Sequence, residues 1–275
     1  MMVQDIGIVD TKKIISVIKD IHNFDLSNFA LTTFKRRVLR IIQVFNFQNV
    51  TVLISKLEED KSFFEKFLDE LLIEHTELFR DPSLWRILRD VYIPELRRNR
   101  DVKVWFPITT SGDEVHTFTI VLKELGLLDE FRILVTGFSE RILNQVKAGG
   151  QYDLKKIEAS EANYKRYSDR FELSDYFTLS NSKAVFGSEL LKNTEFKVID
   201  SVETEPPGGF RLVICRNQLL YFNQSLHEIV VKNLAESLIG SGYLVLGSKE
   251  NMEGCSASSR FILINREEKI YKKKA

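Results

Sequence analysis

Residues 211–222 read Arg211-Leu212-Val213-Ile214-Cys215-Arg216-Asn217-Gln218-Leu219-Leu220-Tyr221-Phe222. An amphipathic run follows, and then Gly240-Ser241-Gly242-Tyr243-Leu244-Val245-Leu246-Gly247. Arg211 to Cys215 is apolar and of strand length, the apolar positions between Gln224 and Ile239 recur at helical spacing, and Tyr243 to Leu246 is apolar again. Strand, helix and strand in succession make the unit of a parallel α/β sheet, whose ligands bind beyond the carboxyl ends of the strands. Arg216-Asn217 and Tyr221-Phe222 therefore fall at the edge where a site is expected.

The same alternation extends back to Val102. Strands are predicted at Val102 to Ile108, Arg132 to Phe138 and Phe196 to Ile199, with helices at Asp113 to Leu125 and Glu140 to Ala148. Between Tyr152 and Thr194 the pattern weakens to a helix over Glu158 to Tyr167 and β-like runs at Tyr176 to Leu179 and Lys183 to Phe186, which reads as an insertion. A hairpin is predicted over Arg260 to Tyr271. Before residue 73 the chain reads as helices: Ile14, Ile18 and Ile21 share a face, then Phe34, Val38, Ile41 and Phe45, then Phe63, Phe64, Phe67, Leu68, Leu71 and Leu72. Asp25 or Ser27 could cap the second of these helices. The expected architecture is an all-α domain over 1–72 and an α/β domain over 73–275, with 153–195 inserted.

With 275 residues, 44% of them hydrophobic, the chain can bury a full core. Its 39 basic and 39 acidic residues cancel, so the overall field that would attract nucleic acid or an anionic bilayer is missing. Partners must be sought in local patches. Cys215 and Cys255 have neither metal-site spacing nor a histidine cluster beside them, which argues against zinc and against a disulfide framework. Met1 to Asp10 lacks the pattern of a signal peptide, and no apolar stretch is long enough to span a bilayer. A cytoplasmic protein is the expectation.

The block at 211–247 resembles the C-R-N-x-x-I-Y-F and G-G-x-L-x-L-G signatures of the CheR family, the chemotaxis receptor glutamate methyltransferases that use S-adenosylmethionine. Thr76-Glu77-Leu78-Phe79-Arg80-Asp81-Pro82 resembles the family's T-x-F-F-R-D-P, with Leu78 replacing a Phe. Ser111-Gly112-Asp113-Glu114 resembles part of its A-G-C-S-T-G-E-E-P-Y-S, with Val115 and His116 replacing Pro and Tyr. The resemblance runs from Arg36-Arg37-Val38-Leu39-Arg40-Ile41 to Ile270-Tyr271-Lys272. It implies a Rossmann-like sheet ending in an antiparallel hairpin, a small β insertion and an N-terminal helical domain.

It also implies site roles. Thr76, Arg80, Glu114, Asp200, Ser201, Arg216 and Asn217 would bind the cofactor, with Arg80 and Tyr221 beside the reacting centre. Phe222 is expected to pack beneath the following helix, and His116 reads as a surface or packing histidine. Acids in a first helical turn are also stabilised by the helix dipole, so Glu114 has a purely structural alternative. Arg36, Arg37 and Arg40 form a stripe opposite the Phe34, Val38, Ile41 face; such a stripe is either a solvated surface or, by the resemblance, a docking face for an acidic receptor helical bundle. The expected protein is a monomer.

Two further positions depart from the family at the cofactor site. Glu74 stands where a cofactor-contacting Asn is expected. Gly137 stands where an Asp would take the ribose hydroxyls, leaving Ser139 or Glu140 as substitutes. Restoring the acid by Gly137→Asp is expected to tighten the cofactor unless a positive φ requires glycine there. Glu74, Gly137 and Val115-His116 leave open a non-catalytic relative that binds cofactor poorly, and because an acceptor leaves no local signature a methyltransferase with another acceptor is the second alternative.

Overall fold

A computed structural model describes residues 6–72, 77–98, 101–199 and 205–275. The chain opens with four helices, α1 (Ile8–His22), α2 (Leu31–Val44), α3 (Val50–Glu59) and α4 (Lys61–Leu72). Their apolar faces close on one another through Ile14, Ile18, Phe34, Val38, Ile41, Leu53, Leu57 and Phe67, as the helical spacing requires. Neither Asp25 nor Ser27 caps α2: the Asp25 carboxylate accepts from the Ser27 amide. The helix starts after Ala30, whose own amide donates to the Tyr221 carbonyl at 2.8 Å, so a remote segment sets that boundary.

Next come α5 (Pro82–Ile87), a wide helical turn over Leu88–Tyr92 and α6 (Ile93–Arg97), which lead into the sheet. The α/β part then runs β1 (Val102–Phe106), α7 (Asp113–Glu124), β2 (Phe131–Gly137) and α8 (Glu140–Lys147). A small sheet follows, built from β3 (Tyr152–Asp153), β4 (Phe177–Ser180) and β5 (Lys183–Phe186) in the order β3-β5-β4, with α9 (Leu154–Tyr167) between its first two strands. The main sheet resumes with β6 (Thr194–Val198), β7 (Phe210–Cys215), α10 (Gln224–Ser237), β8 (Leu238–Leu246), β9 (Phe261–Asn265) and β10 (Ile270–Lys273).

Strand order in the seven-stranded sheet is β6-β2-β1-β7-β8-β10-β9. The first five are parallel; β10 runs antiparallel to both β8 and β9. From β1 the chain winds outward through β2 to β6, then returns to lay β7 against the other side of β1. That reversal opens a crevice at the carboxyl ends of β1 and β7, where a doubly wound sheet binds ligands.

Alternation along the strands assigns the two faces. Trp105, Val213, Cys215, Leu244 and Leu246 share a core with α10 and the N-terminal helices, while Val104, Phe106, Leu212, Ile214 and Val245 face α7 and the elements around it. Several boundaries differ from expectation, two of them at helix ends. α10 ends at Ser237, not at residue 239: Leu238 is buried and pairs with Phe210, so the sheet claims the last two residues that helical spacing would also have accepted. α9 starts at Leu154, a turn earlier than expected, directly off β3. Among the described residues no helix is long and apolar enough to cross a membrane, and none of the His, Cys, Asp and Glu side chains form a metal-binding group.

Candidate active site

The crevice is walled by two loops. On the β1 side, residues 107–112 cross to α7. Gly112, at φ 78°, is in the left-handed region, and a Cβ there would meet Val146 at 2.6 Å. On the β7 side, residues 216–223 form a turn in which Asn217 is left-handed at φ 59°, a conformation Asn tolerates better than most residues. Phe106, Ile108, Thr109, Ser111, Glu114 and Arg216 line the space between, with about 30 Å³ open among the described residues.

Arg216 spans this crevice. Its guanidinium, with the side chain 2% exposed, donates to Glu114 Oε1 at 2.6 Å and to the Asp81 carboxylate. Burial works against the Arg216 charge, but Glu114 and Asp81 outweigh it and hold its pKa above the ordinary value. Burial pushes the Glu114 carboxyl above the usual range, and the charges of Arg216 and, more weakly, Arg80 offset only part of that. Arg216 Nε is buried with no acceptor among the described residues. A buried donor without a partner is costly, and an acceptor such as a carboxylate would satisfy it.

Residues 77–81 reach the crevice through the Asp81 contact to Arg216 and are strapped down from outside. The Leu78 amide donates to Ser160 Oγ, the Phe79 amide to Thr117 Oγ1, and the Trp85 indole N–H to the Arg80 carbonyl at 2.8 Å. Phe79 and Asp81 both have left-handed backbones, at φ 55° and 56°. Two such residues flanking one arginine are a strained arrangement held by its surroundings, as functional loops often are. Asp81 precedes α5 without capping it and instead takes Arg216, a role its place beside Pro82 does not suggest.

Tyr221 is 8% exposed and touches the N-terminal domain. Arg37 of α2 donates to its hydroxyl and lies over its ring, 4.8 Å from the centroid. The arginine stripe is therefore divided: Arg36 is exposed, Arg40 half-buried, and Arg37 turned toward the crevice loop. Phe222 meets Phe29 edge-on at 5.6 Å, so it packs on the N-terminal domain and not only beneath α10.

Gly137 lies outside the left-handed region, so backbone freedom does not explain it. A Cβ there would stand 2.7 Å from the Thr109 carbonyl oxygen, because the 107–112 loop rests on the end of β2 through a Thr109 amide bond to the Thr136 carbonyl. Any side chain there, Asp included, would have to displace that backbone. Ser139 is also committed: its hydroxyl donates to Asp69 at 2.7 Å and accepts from the Ile142 amide, while Asp69, fully buried on α4, also binds Arg141. Glu140 remains exposed in the first turn of α8. His116 is a packing histidine, fully buried and not at the surface: its ring stacks on Phe186 and Nδ1 lies 2.8 Å from the Tyr152 hydroxyl. Burial pushes its pKa down to about 4. Glu74, Thr76, Asp200 and Ser201 lie outside the described residues.

The sequence itself matches a known family. The profile of the CheR methyltransferase SAM-binding domain matches residues 74–270, and that of the CheR methyltransferase all-alpha domain matches residues 10–72. The chain belongs to the CheR methyltransferase family. Cher3 of Pseudomonas putida is 31% identical over 269 residues, covering 96% of this chain and 97% of Cher3. A chemotaxis protein methyltransferase of Listeria innocua is 25% identical over 86% of this chain and 87% of its own. Chemotaxis protein methyltransferase 1 of Vibrio cholerae is 27% identical over 72% of each. This CheR chain is thus an S-adenosylmethionine-dependent methyltransferase, and the seven-stranded sheet with its helical N-terminal domain is the fold the resemblance implied.

Proposed function

We propose that this CheR chain methylates glutamate side chains on an acidic helical bundle of chemoreceptor type, acting as a cytoplasmic monomer. The observation that carries the proposal is the Arg37–Tyr221 contact, through which the basic helix of the all-α domain reaches the loop at the cofactor edge. Relatives named as chemotaxis protein methyltransferases support the same reading.

In this reading Glu114, Arg216 and Asn217 hold the cofactor together with Thr76, Asp200 and Ser201, and Glu140 takes the ribose in place of the acid absent at Gly137. Arg80 and Tyr221 border the reacting centre. The cofactor supplies an electrophilic methyl group on a sulfonium. An acceptor glutamate, with an ordinary pKa near about 4.3, is already ionised at neutral pH and needs no base. With the cofactor bound, the acceptor's carboxylate oxygen would form the new bond to the methyl carbon as the carbon–sulfur bond breaks, the sulfur leaving as the neutral thioether of the product, and no proton would move. The chain's contribution is to orient that carboxylate, with Arg80 able to hold it by a bidentate contact.

The test is transfer of labelled methyl from S-adenosylmethionine to a purified receptor helical fragment. Label released as methanol by mild alkali is expected, because a carboxyl ester hydrolyses there. Alkali-stable label, or no transfer to acidic helices, would sink the glutamate assignment.

A further inference from the structure

Glu250 lies outside every motif singled out in the sequence, four residues beyond the end of β8, and is 2% exposed. Its carboxylate accepts three main-chain N–H groups. Oε2 takes the Asn217 amide at 2.7 Å and the Gly247 amide at 2.6 Å; Oε1 takes the Leu219 amide at 2.7 Å. The Glu250 amide in turn donates to the Gly247 carbonyl at 2.9 Å, closing the turn that aims its side chain.

We propose that Glu250 is the positioning residue of the methyl-transfer site, a clamp that sets the 216–221 turn against the end of β8. The turn bears Arg216, Asn217 and Tyr221, so the inference rests on the functional reading above. Two further features point the same way. Asn217 has a left-handed backbone whose amide is held by Glu250 at 2.7 Å. Gly247 has no room for a side chain: a Cβ would come within 2.5 Å of Asn217 Oδ1 and 2.8 Å of Glu250 Oε2. Loop, clamp and strand end are therefore in direct contact.

A carboxylate suits this task because both of its oxygens only accept. Burying it is costly, and burial pushes the Glu250 carboxyl up to about 7 while the three amides pull the other way. Glutamine has the same shape but one acceptor oxygen. In Glu250→Gln that oxygen can keep the Asn217 and Gly247 amides, which leaves an NH₂ facing the Leu219 N–H. The side of the turn leading to Tyr221 would then be released while the Asn217 side stays held.

The experiment compares wild type and Glu250→Gln in methyl transfer, in calorimetric titration with S-adenosylhomocysteine, and in amide hydrogen exchange. A clamp predicts that kcat falls about 10- to 100-fold in the folded variant, since small misplacements at a reacting centre are expensive. Product affinity should change by less than about threefold, because the hydrogen bond that the substitution removes lies on the transfer side of the turn. Leu219 should lose exchange protection while Asn217 keeps it. A folded variant whose kcat stays within about twofold of wild type overturns the proposal. So does rapid exchange at Asn217, Leu219 and Gly247 in the wild type, a measurement that stands even if the variant does not fold. A wild type that shows this protection yet transfers no methyl group to acidic helices would instead count against the acceptor assignment.

Discussion

The Arg216 guanidinium donates to Glu114 Oε1 at 2.6 Å across the mouth of the β1–β7 crevice, joining the first turn of α7 to the loop after β7. The dipole of α7 already favours an acid at position 114, but the ion pair gives that acid a directed role. With Asp81 on the other branch of the guanidinium, three segments distant in sequence meet at one buried cation.

Replacing Glu114 with Gln should test whether this acid serves the cofactor. If it does, affinity for S-adenosylhomocysteine drops by about 1.5–3 kcal/mol, or one to two orders of magnitude, the value of a charge-assisted hydrogen bond. Calorimetric titration reads the loss directly. A lower melting temperature with unchanged affinity would leave Glu114 as a structural partner of Arg216 alone.

Gly137→Asp is expected to destabilise the protein and not to tighten the cofactor. Its Cβ would press on the Thr109 carbonyl, backbone that cannot rotate away, at a cost of roughly 1–3 kcal/mol. Gly137→Ala should cost about as much, since the clash is at the first side-chain atom. Thermal melts of both variants check this, and an aspartate variant with wild-type stability and tighter product binding would contradict it.

His116 makes stability pH-dependent. Its folded pKa of about 4 lies below the unfolded value of roughly 6.5, so the unfolded chain binds more protons between them. The stability that depends on a neutral ring is complete above pH 6.5 and is lost as pH falls toward 4, up to about 3 kcal/mol. Denaturant titrations across that window should show a steeper decline in wild type than in His116→Gln.

The arginines of α2 should separate into two classes. Charge reversal at Arg36 and Arg40 is expected to raise KM for an acidic acceptor, with an effect that shrinks as salt rises and with cofactor affinity unchanged. Arg37→Ala should also lower kcat, because Tyr221 loses both its hydrogen-bond donor and the cation over its ring. Steady-state kinetics at two salt concentrations distinguish the classes; identical behaviour of all three arginines would return Arg37 to the surface stripe.

The local order of the chain was legible from the sequence because its causes are local. Apolar residues at helical spacing in α1, α2 and α4 and short apolar runs in β1, β2 and β7 define elements through burial, and their succession dictates a parallel sheet with its site at the carboxyl edge. Glu114 and Arg216, which line the crevice, were singled out through the resemblance of short contiguous motifs to the CheR family, as Arg80 was. What the tertiary structure decided is how these segments close on one another. Asp81 and Arg216 are 135 positions apart, Arg37 and Tyr221 are 184, and Glu250 reaches back 33 to Asn217. Hydrogen bonding and desolvation depend on distance in space, which residue spacing along the chain does not carry. Gly137 shows the same limit: its missing acid reads as a weakened site until the Thr109 carbonyl is seen to occupy the space a side chain would need.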